Sequence, residues 1–210
     1  MIIKYFDLKK NLKKNKFFLF YGNNKGLIRE TIDNTLIPSL NNNIFSYEEI
    51  DVLKDKESFR ENLINKSFFE KEKIIIVNRV TDKFFKIVEE IVLRNIEDLV
   101  VILVAGALDK KSKIRKFFEK ESFVVCTPFY EDNIQTLTSI AQKFLRDQKI
   151  NISQQDLNIL AERARGDRIN LKNELQKIES FAKNKKNINI HDILKITNLS
   201  TNYEISELVD

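Results

Sequence analysis

Two apolar runs, KIIIVN at 73–78 and LVVILVA at 99–105, constrain the fold of this 210-residue chain more than any other feature. They are near-continuous rather than alternating, the pattern of strands buried on both faces of a parallel sheet. Further strand-like runs stand at 17–21 (FFLFY), 44–50 (IFSYEEI) and 122–126 (SFVVC). Helical stretches separate them, at 26–37, 56–66, 82–95 and 111–120. Strands that alternate with helices predict a doubly wound α/β domain ending near Pro128.

From Glu131 onward the pattern is helical only. Ile134, Leu137, Ile140, Ala141, Phe144 and Leu145 form one stripe at helical spacing. Ser153 and Asp156 have capping-box spacing ahead of Leu157, Leu160, Ala161 and Ala164. Gly166 ends that helix, and Leu171, Leu175, Ile178 and Phe181 mark the next. A shorter helix is expected over 191–197. The expected organisation is an α/β domain over 1–130 and a small helical domain over 131–200. With no internal repeat and no long Pro/Gly/Ser linker, a short hinge would join them.

The loop after the first run carries the strongest functional signal. FFLFYGNNKGLIRE (17–30) places two glycines between a strand and a helix, where a phosphate loop would lie. A working loop reads G-x-x-x-x-G-K-[ST]: backbone N–H groups cradle the phosphates, the lysine meets the β/γ-phosphates and the hydroxyl holds Mg²⁺. Here Gly22 and Gly26 are one residue too close, and Leu27-Ile28 follows where Lys-Ser would stand. Lys25 precedes Gly26 and cannot replace the lysine. The run at 73–78 ends in Asn78-Arg79, where an ATPase would carry an acid to organise Mg²⁺. Gly22, Lys25 and Gly26 therefore read as a degenerate nucleotide loop, with no cofactor expected. Such a chain would act by touching other proteins.

Other chemistries find little support. One histidine (His191) and one cysteine (Cys126) leave no metal cluster and no C-x-x-C. His191 has no G-x-S-x-G partner for a Ser-His-Asp arrangement and reads as a helix-start or surface residue. Cys126 reads as a small buried hydrophobe, and a lone cysteine fits a reducing cytoplasm. Glu48-Glu49 and Glu89-Glu90 are adjacent on the chain, so their side chains diverge and neither forms an acid/base dyad. No residue is assigned a catalytic or metal-binding role. No apolar stretch approaches the ~20 residues of a membrane span, and the N-terminus lacks a secretory h-region. The net charge of +5 partly reflects a Lys-, Asn- and Ile-rich composition. Basic clusters at 9–16, 110–120 and 163–168 could meet phosphates or be solvated helix faces.

Four segments in order resemble the delta subunit of bacterial DNA polymerase III, the clamp-opening subunit of the sliding-clamp loader. FFLFYGNNKGLIRE (17–30) is similar to that family's L-L-Y-G-x-[DE]-x-x-L-I-R-E, with Asn23 or Asn24 at its acidic position. KSFFEKEKIIIVNRV (66–80) is similar to S-L-F-x-x-[KR]-x followed by four aliphatic positions, with Phe68 in place of leucine. LDKKSKIRKFFEK (108–120) resembles L-D-K-R-[ST]-K-L-x-K-x-[LF]-x-K, and ARGDRINLKNELQKIESFA (164–182) resembles G-x-D-[LI]-x-x-[LI]-x-N-E-L-x-K-L. The resemblance implies an AAA+-like doubly wound parallel sheet domain without a functional P-loop, followed by a helical lid. It reads ISELVD (205–210) within 201–210 as the start of a truncated collar domain.

The resemblance also implies a function. Such a subunit binds the ring-shaped sliding clamp (the beta subunit) and helps open it for loading onto primed DNA. It works beside gamma/tau and delta prime subunits in the cytoplasm and hydrolyses no ATP itself, as part of a DNA polymerase holoenzyme. Ser67, Phe68 and Phe69 fall on that family's clamp-binding element, two adjacent large hydrophobes entering a pocket on the clamp. Read from the residues alone, Phe68 and Phe69, two of sixteen phenylalanines, are expected to be core residues, and the resemblance is what moves them to clamp contact. The charged flanks Lys66 and 70–73 favour an exposed tip. Two other readings stand beside this one: a divergent but active AAA+ ATPase of the same loader, and a basic nucleic-acid-binding module.

Overall fold

The computed structural model describes residues 1–11, 14–40, 43–64, 73–94, 96, 98–183, 192 and 195–196. The chain divides into two compact units, Met1–Tyr130 and Glu131–Asp210.

The first unit is a five-stranded parallel sheet in the order β2-β3-β4-β1-β5. Its strands are β1 (Phe17–Gly22), β2 (Asn43–Glu48), β3 (Lys73–Asn78), β4 (Leu99–Ala105) and β5 (Val124–Phe129). β3, β4 and β1 are interior strands, and their side chains are buried on both faces, as their unbroken apolar runs require. One face packs Leu19, Ile75, Val101 and Cys126 against α6 (Phe85–Arg94) and α7 (Lys113–Lys120). The other packs Phe18, Phe20, Ile74 and Ile102 against α1 (Leu8–Asn11) and α2 (Lys25–Thr31). Cys126 is fully buried, and burial pushes its thiol up to about 12.

Two strands, β2 and β5, depart from the sequence expectation by two residues or more at an end. β2 stops at Glu48 because Glu49 turns inward, accepting hydrogen bonds from Thr81 N (2.8 Å) and Oγ1 (2.9 Å), and opens α4 (Glu49–Lys54). The short helix α5 (Lys56–Ile64) follows. β5 runs on through Pro128 to Phe129. The Cys126 N–H faces the outer edge, where it donates to Met1 O at 2.9 Å. Two residues along the strand, the N–H that Pro128 lacks would face the same edge, which is where a strand tolerates proline. After α2 the chain widens into a π-turn (Ile32–Leu36) before α3 (Ile37–Leu40), which holds Pro38. The wider turn relieves the clash a proline ring makes with the carbonyl four residues back.

α7 is tied to the element before α6 by a single carboxylate. Asp82 accepts hydrogen bonds from Ser112 Oγ (2.7 Å) and from the N–H groups of Lys113 and Ile114 (both 3.1 Å). Ser112 in turn caps Arg115 N, and Asp109 accepts from Lys111 N and Ser112 N. Arg115 donates to Leu108 O at 2.8 Å. The LDKKSKIRKFFEK segment is thus first a helix-start device.

In the second unit α8 (Ile134–Asp147), α9 (Gln154–Arg163) and α10 (Arg168–Ala182) enclose Leu137, Ala141, Leu145, Leu157, Leu160, Leu171, Leu175 and Ile178. Ser153 caps α9 through Asp156 N at 3.1 Å, as its spacing predicts. Ile134 is a correction: it belongs to the helical stripe by period but is 51% exposed, because it occupies the first position of α8. Gly166 (φ +78°) and Arg165 (φ +49°) make the left-handed turn between α9 and α10. Arg168 then grips Asp132 bidentately, Nε–Oδ2 at 2.8 Å and Nη2–Oδ1 at 2.7 Å, with both side chains more than nine-tenths buried.

Asp82 yields a pH prediction. Burial pushes its pKa up, but the bonds from Ser112, Lys113 and Ile114 and the Lys113 charge outweigh burial and hold it below the usual value. The stabilisation is therefore complete above the unfolded-state pKa of about 3.9 and is lost as pH falls through the lower folded value. Asp82→Asn is expected to reduce unfolding free energy by ~1 kcal/mol at neutral pH. Urea titrations should show that gap narrowing as pH falls from about 3.9 towards the folded-state pKa.

Candidate functional site

The candidate site is the carboxyl end of the sheet, where β1 turns into α2. Gly22 ends β1 at φ +135°, and its N–H donates to Gly106 O, just past β4, at 3.1 Å. A Cβ on Gly22 would lie 2.1 Å from the Phe129 carbonyl oxygen, so the turn is pressed against β5. Asn24 closes the next step. Its N–H reaches Phe129 O (3.4 Å), its Nδ2 donates to Tyr130 O (2.9 Å) and its Oδ1 accepts from Leu27 N (3.0 Å). Lys25 N donates to Asn23 O (2.9 Å) and Ile28 N to Asn24 O (3.0 Å).

The amides of Asn24, Lys25, Leu27 and Ile28 are therefore all bonded to oxygens of the chain. In a phosphate-binding loop such amides face a ligand. Here the Asn24 carboxamide takes the central place, as an N-cap does in any helix without a ligand. Gly26 is buried, and Lys25 is exposed on the wall of a cleft beside α2. The cleft has a volume of about 570 Å³ and reaches from Arg29 and Asp33 to Glu48, Asn78 and Arg79.

The end of β3 is likewise engaged with its neighbours. Asn78 Nδ2 donates to Ser46 Oγ at 3.0 Å, and Arg79, in the left-handed region at φ +56°, pairs with Glu48 at 2.7 Å. Glu48 and Glu49 diverge, one to Arg79 and the other to Thr81. Among the described residues, no group of three or more His, Cys, Asp or Glu could hold a metal ion. No helix among them is long and apolar enough to cross a membrane.

Of the sequence-predicted site residues, Gly22, Lys25 and Gly26 come together in this one turn. Ser67, Phe68 and Phe69 lie outside the described residues, as does His191. Sequence reasoning missed Asn24 as the closing group. Its signal was present: an asparagine immediately ahead of a helix, three residues before Leu27, is a preferred N-cap. The basic clusters separate into two kinds. Arg115 and Arg168 are tied into Glu119 and Asp132, whereas Lys110, Lys111, Lys113, Lys116 and Lys120 are exposed, with no ion pair among the described residues.

A parallel sheet in the order 2-3-4-1-5 with C-terminal helices is an AAA+-like architecture, and solved structures of that class superpose on this chain. The Bacillus subtilis DNA clamp loader delta protein matches with a TM-score of 0.54 at 18% identity, over 93% of this chain and 63% of its own. The Thermotoga maritima RuvB Holliday junction branch migration motor matches at 0.61 and 18%, over 91% of this chain and 64% of its own. Domain III of the Thermotoga maritima replication initiation protein DnaA matches at 0.59 and 15%, over 92% and 90%. This chain thus spans less than two thirds of the clamp loader delta and RuvB chains. No protein-family model and no curated protein sequence matches it. The expected AAA+-like fold is borne out.

Gly22→Ala should destabilise the first unit by ~2–4 kcal/mol, through contact with Phe129 O and a positive φ. Asn24→Ala should cost ~1 kcal/mol. Thermal unfolding of the two variants should rank them in that order, and equal melting temperatures would contradict the close approach of the turn to β5.

Proposed function

We propose that this chain is a clamp-loader subunit of the delta type, which binds the sliding clamp and favours its open form without using ATP. One observation carries the reading: in an AAA+-like fold, the turn where nucleotide phosphates would sit is bonded to the chain's own oxygens at Asn24. The sequence resemblance supports the delta choice among AAA+-like functions, and the structural likeness to a clamp loader delta protein, shared with RuvB and DnaA, supports the fold on which that choice rests. In this reading Phe68 and Phe69, flanked by Ser67, are the anchors that enter the clamp. A clamp is a closed ring, so a partner that prefers the open form shifts an existing equilibrium. Gamma/tau and delta prime subunits would be its neighbours, with primed DNA reached through the assembly.

A second reading, a basic nucleic-acid module, is favoured by the lysines of α7 and the turn before it. Lys83 and Lys86, exposed near the Asp82 cap, extend that surface. Phe85 and Phe117, adjacent in sequence to Lys86 and Lys116, have ring centroids 5.9 Å apart. Lys113→Gln with Lys116→Gln should weaken duplex DNA binding and flatten its salt dependence if this surface meets phosphates.

The two aromatic residues give the deciding test. As clamp anchors, Phe69→Ala should leave the melting temperature near that of the unmodified chain and weaken clamp binding by roughly thirtyfold, or ~2 kcal/mol. As core residues, the same change should cost ~3–5 kcal/mol of stability and leave clamp affinity per folded molecule unchanged. The second outcome would refute the clamp assignment. In calorimetry the unmodified chain should release no heat with ATP, whereas micromolar affinity dependent on Lys25 would restore the ATPase reading.

A further inference from the structure

The N-terminal segment carries a surface that the clamp reading does not use. Ile3 and Leu8 are buried and anchor the segment to the sheet, with Ile3 N donating to Cys126 O at 2.9 Å. Between these anchors the chain presents aromatic rings to solvent. Tyr5 is 41% exposed and Phe6 63%, with ring centroids 5.4 Å apart in an edge-to-face pair. The Lys4 ammonium lies 5.7 Å from the centroid of the Phe6 ring. Lys9 and Lys10 follow Phe6 by three and four residues, positions that helix geometry puts on the same side. Asn11 Nδ2 to Asp7 O (3.0 Å) and Asn15 Nδ2 to Asn11 O (3.1 Å) hold the turn in shape.

The charge along this segment is predominantly positive. Asp7 is the one acid among the first sixteen residues, and it is paired with Lys10 at 3.6 Å. Lys9 and Lys14 are exposed, with no ion pair among the described residues. An apolar protein partner seated on the rings would strip water from these ammonium groups without returning a charge. A polyanion that also offers flat π-faces satisfies both halves of the surface. Duplex DNA keeps its base faces stacked inside, so an unpaired strand is the form that fits.

We propose that the segment from Lys4 to Lys10 binds single-stranded nucleic acid. A base stacks on the exposed ring of Phe6, with Tyr5 buttressing it edge-on, and the phosphates on either side meet Lys4, Lys9 and Lys10. The inference stands apart from clamp binding, because none of its residues belongs to the clamp element or to the β1–α2 turn.

The test is fluorescence anisotropy of the 210-residue chain with a labelled oligothymidylate of about 20 nucleotides, beside a duplex of equal length, in about 50 and about 200 mM salt. Phe6→Ala should weaken oligothymidylate binding by roughly tenfold or more and leave duplex binding unchanged. Lys9→Gln with Lys10→Gln should lower the salt slope by about 1.4, two phosphates' worth for a single strand. This second variant alters only exposed side chains, so it reports binding even if Phe6→Ala disturbs the segment. Lys113→Gln with Lys116→Gln, on the other surface, should leave the Phe6 dependence intact. Oligothymidylate binding that is absent, indifferent to Phe6→Ala, or displaced equally well by polyglutamate would overturn the proposal. The last result would mark a general anion-binding surface.

Discussion

The amides at the start of a helix must find acceptors, and at the carboxyl end of this sheet they find them within the chain. Asn24 supplies Oδ1 to Leu27 N and its own carbonyl to Ile28 N, while its Nδ2 bonds the Tyr130 carbonyl beyond β5. Gly22 makes the arrangement possible, since its hydrogen lies where a Cβ would stand 2.1 Å from Phe129 O. These two residues join β1, β4, β5 and α2 at one point. The cleft beside them, the Asn78 bond to Ser46 and the Arg79–Glu48 pair all lie at the same end of the sheet.

That arrangement connects fold to function through stability. A loop that holds phosphate must keep its amides free until the ligand arrives, which leaves donors exposed or bonded to water. A loop capped by its own asparagine has no such requirement and is complete as folded. Asp82 does the same at α7, where its carboxylate bonds Ser112 and the first two amides of the helix. Chain oxygens thus serve both helix starts, and among the described residues the surfaces this leaves for contact are side-chain surfaces, such as the lysines around α7 and the rings and lysines in and just ahead of α1.

The sheet was legible because burial on both faces leaves a signature that survives without context: the runs at 73–78 and 99–105 coincide with β3 and β4. Its margins were less so. Glu49 reads as a polar strand residue until Thr81, thirty-two residues away, supplies two donors and turns it into the start of α4. The fifth run reads as a strand ending at 126, ahead of Pro128, yet β5 continues through that proline, whose missing donor would face the outer edge. The degenerate turn at Gly22, Lys25 and Gly26 was visible in glycine spacing, but its closure by Asn24 depends on the Tyr130 carbonyl, more than a hundred residues along the chain. The rings of Tyr5 and Phe6 could not be distinguished from core by composition, because sixteen phenylalanines make buried rings the rule here.

The central proposal is that this chain would bind a sliding clamp without nucleotide, because the Asn24, Lys25, Leu27 and Ile28 amides of the β1–α2 turn are already bonded within the chain. It is tested most directly by mixing the chain with its cognate clamp on a sizing column, once with ATP and Mg²⁺ and once with neither. The expected result is co-elution at the same volume and in the same proportion under both conditions. Co-elution only in the presence of ATP, or separate elution under both conditions, would contradict it.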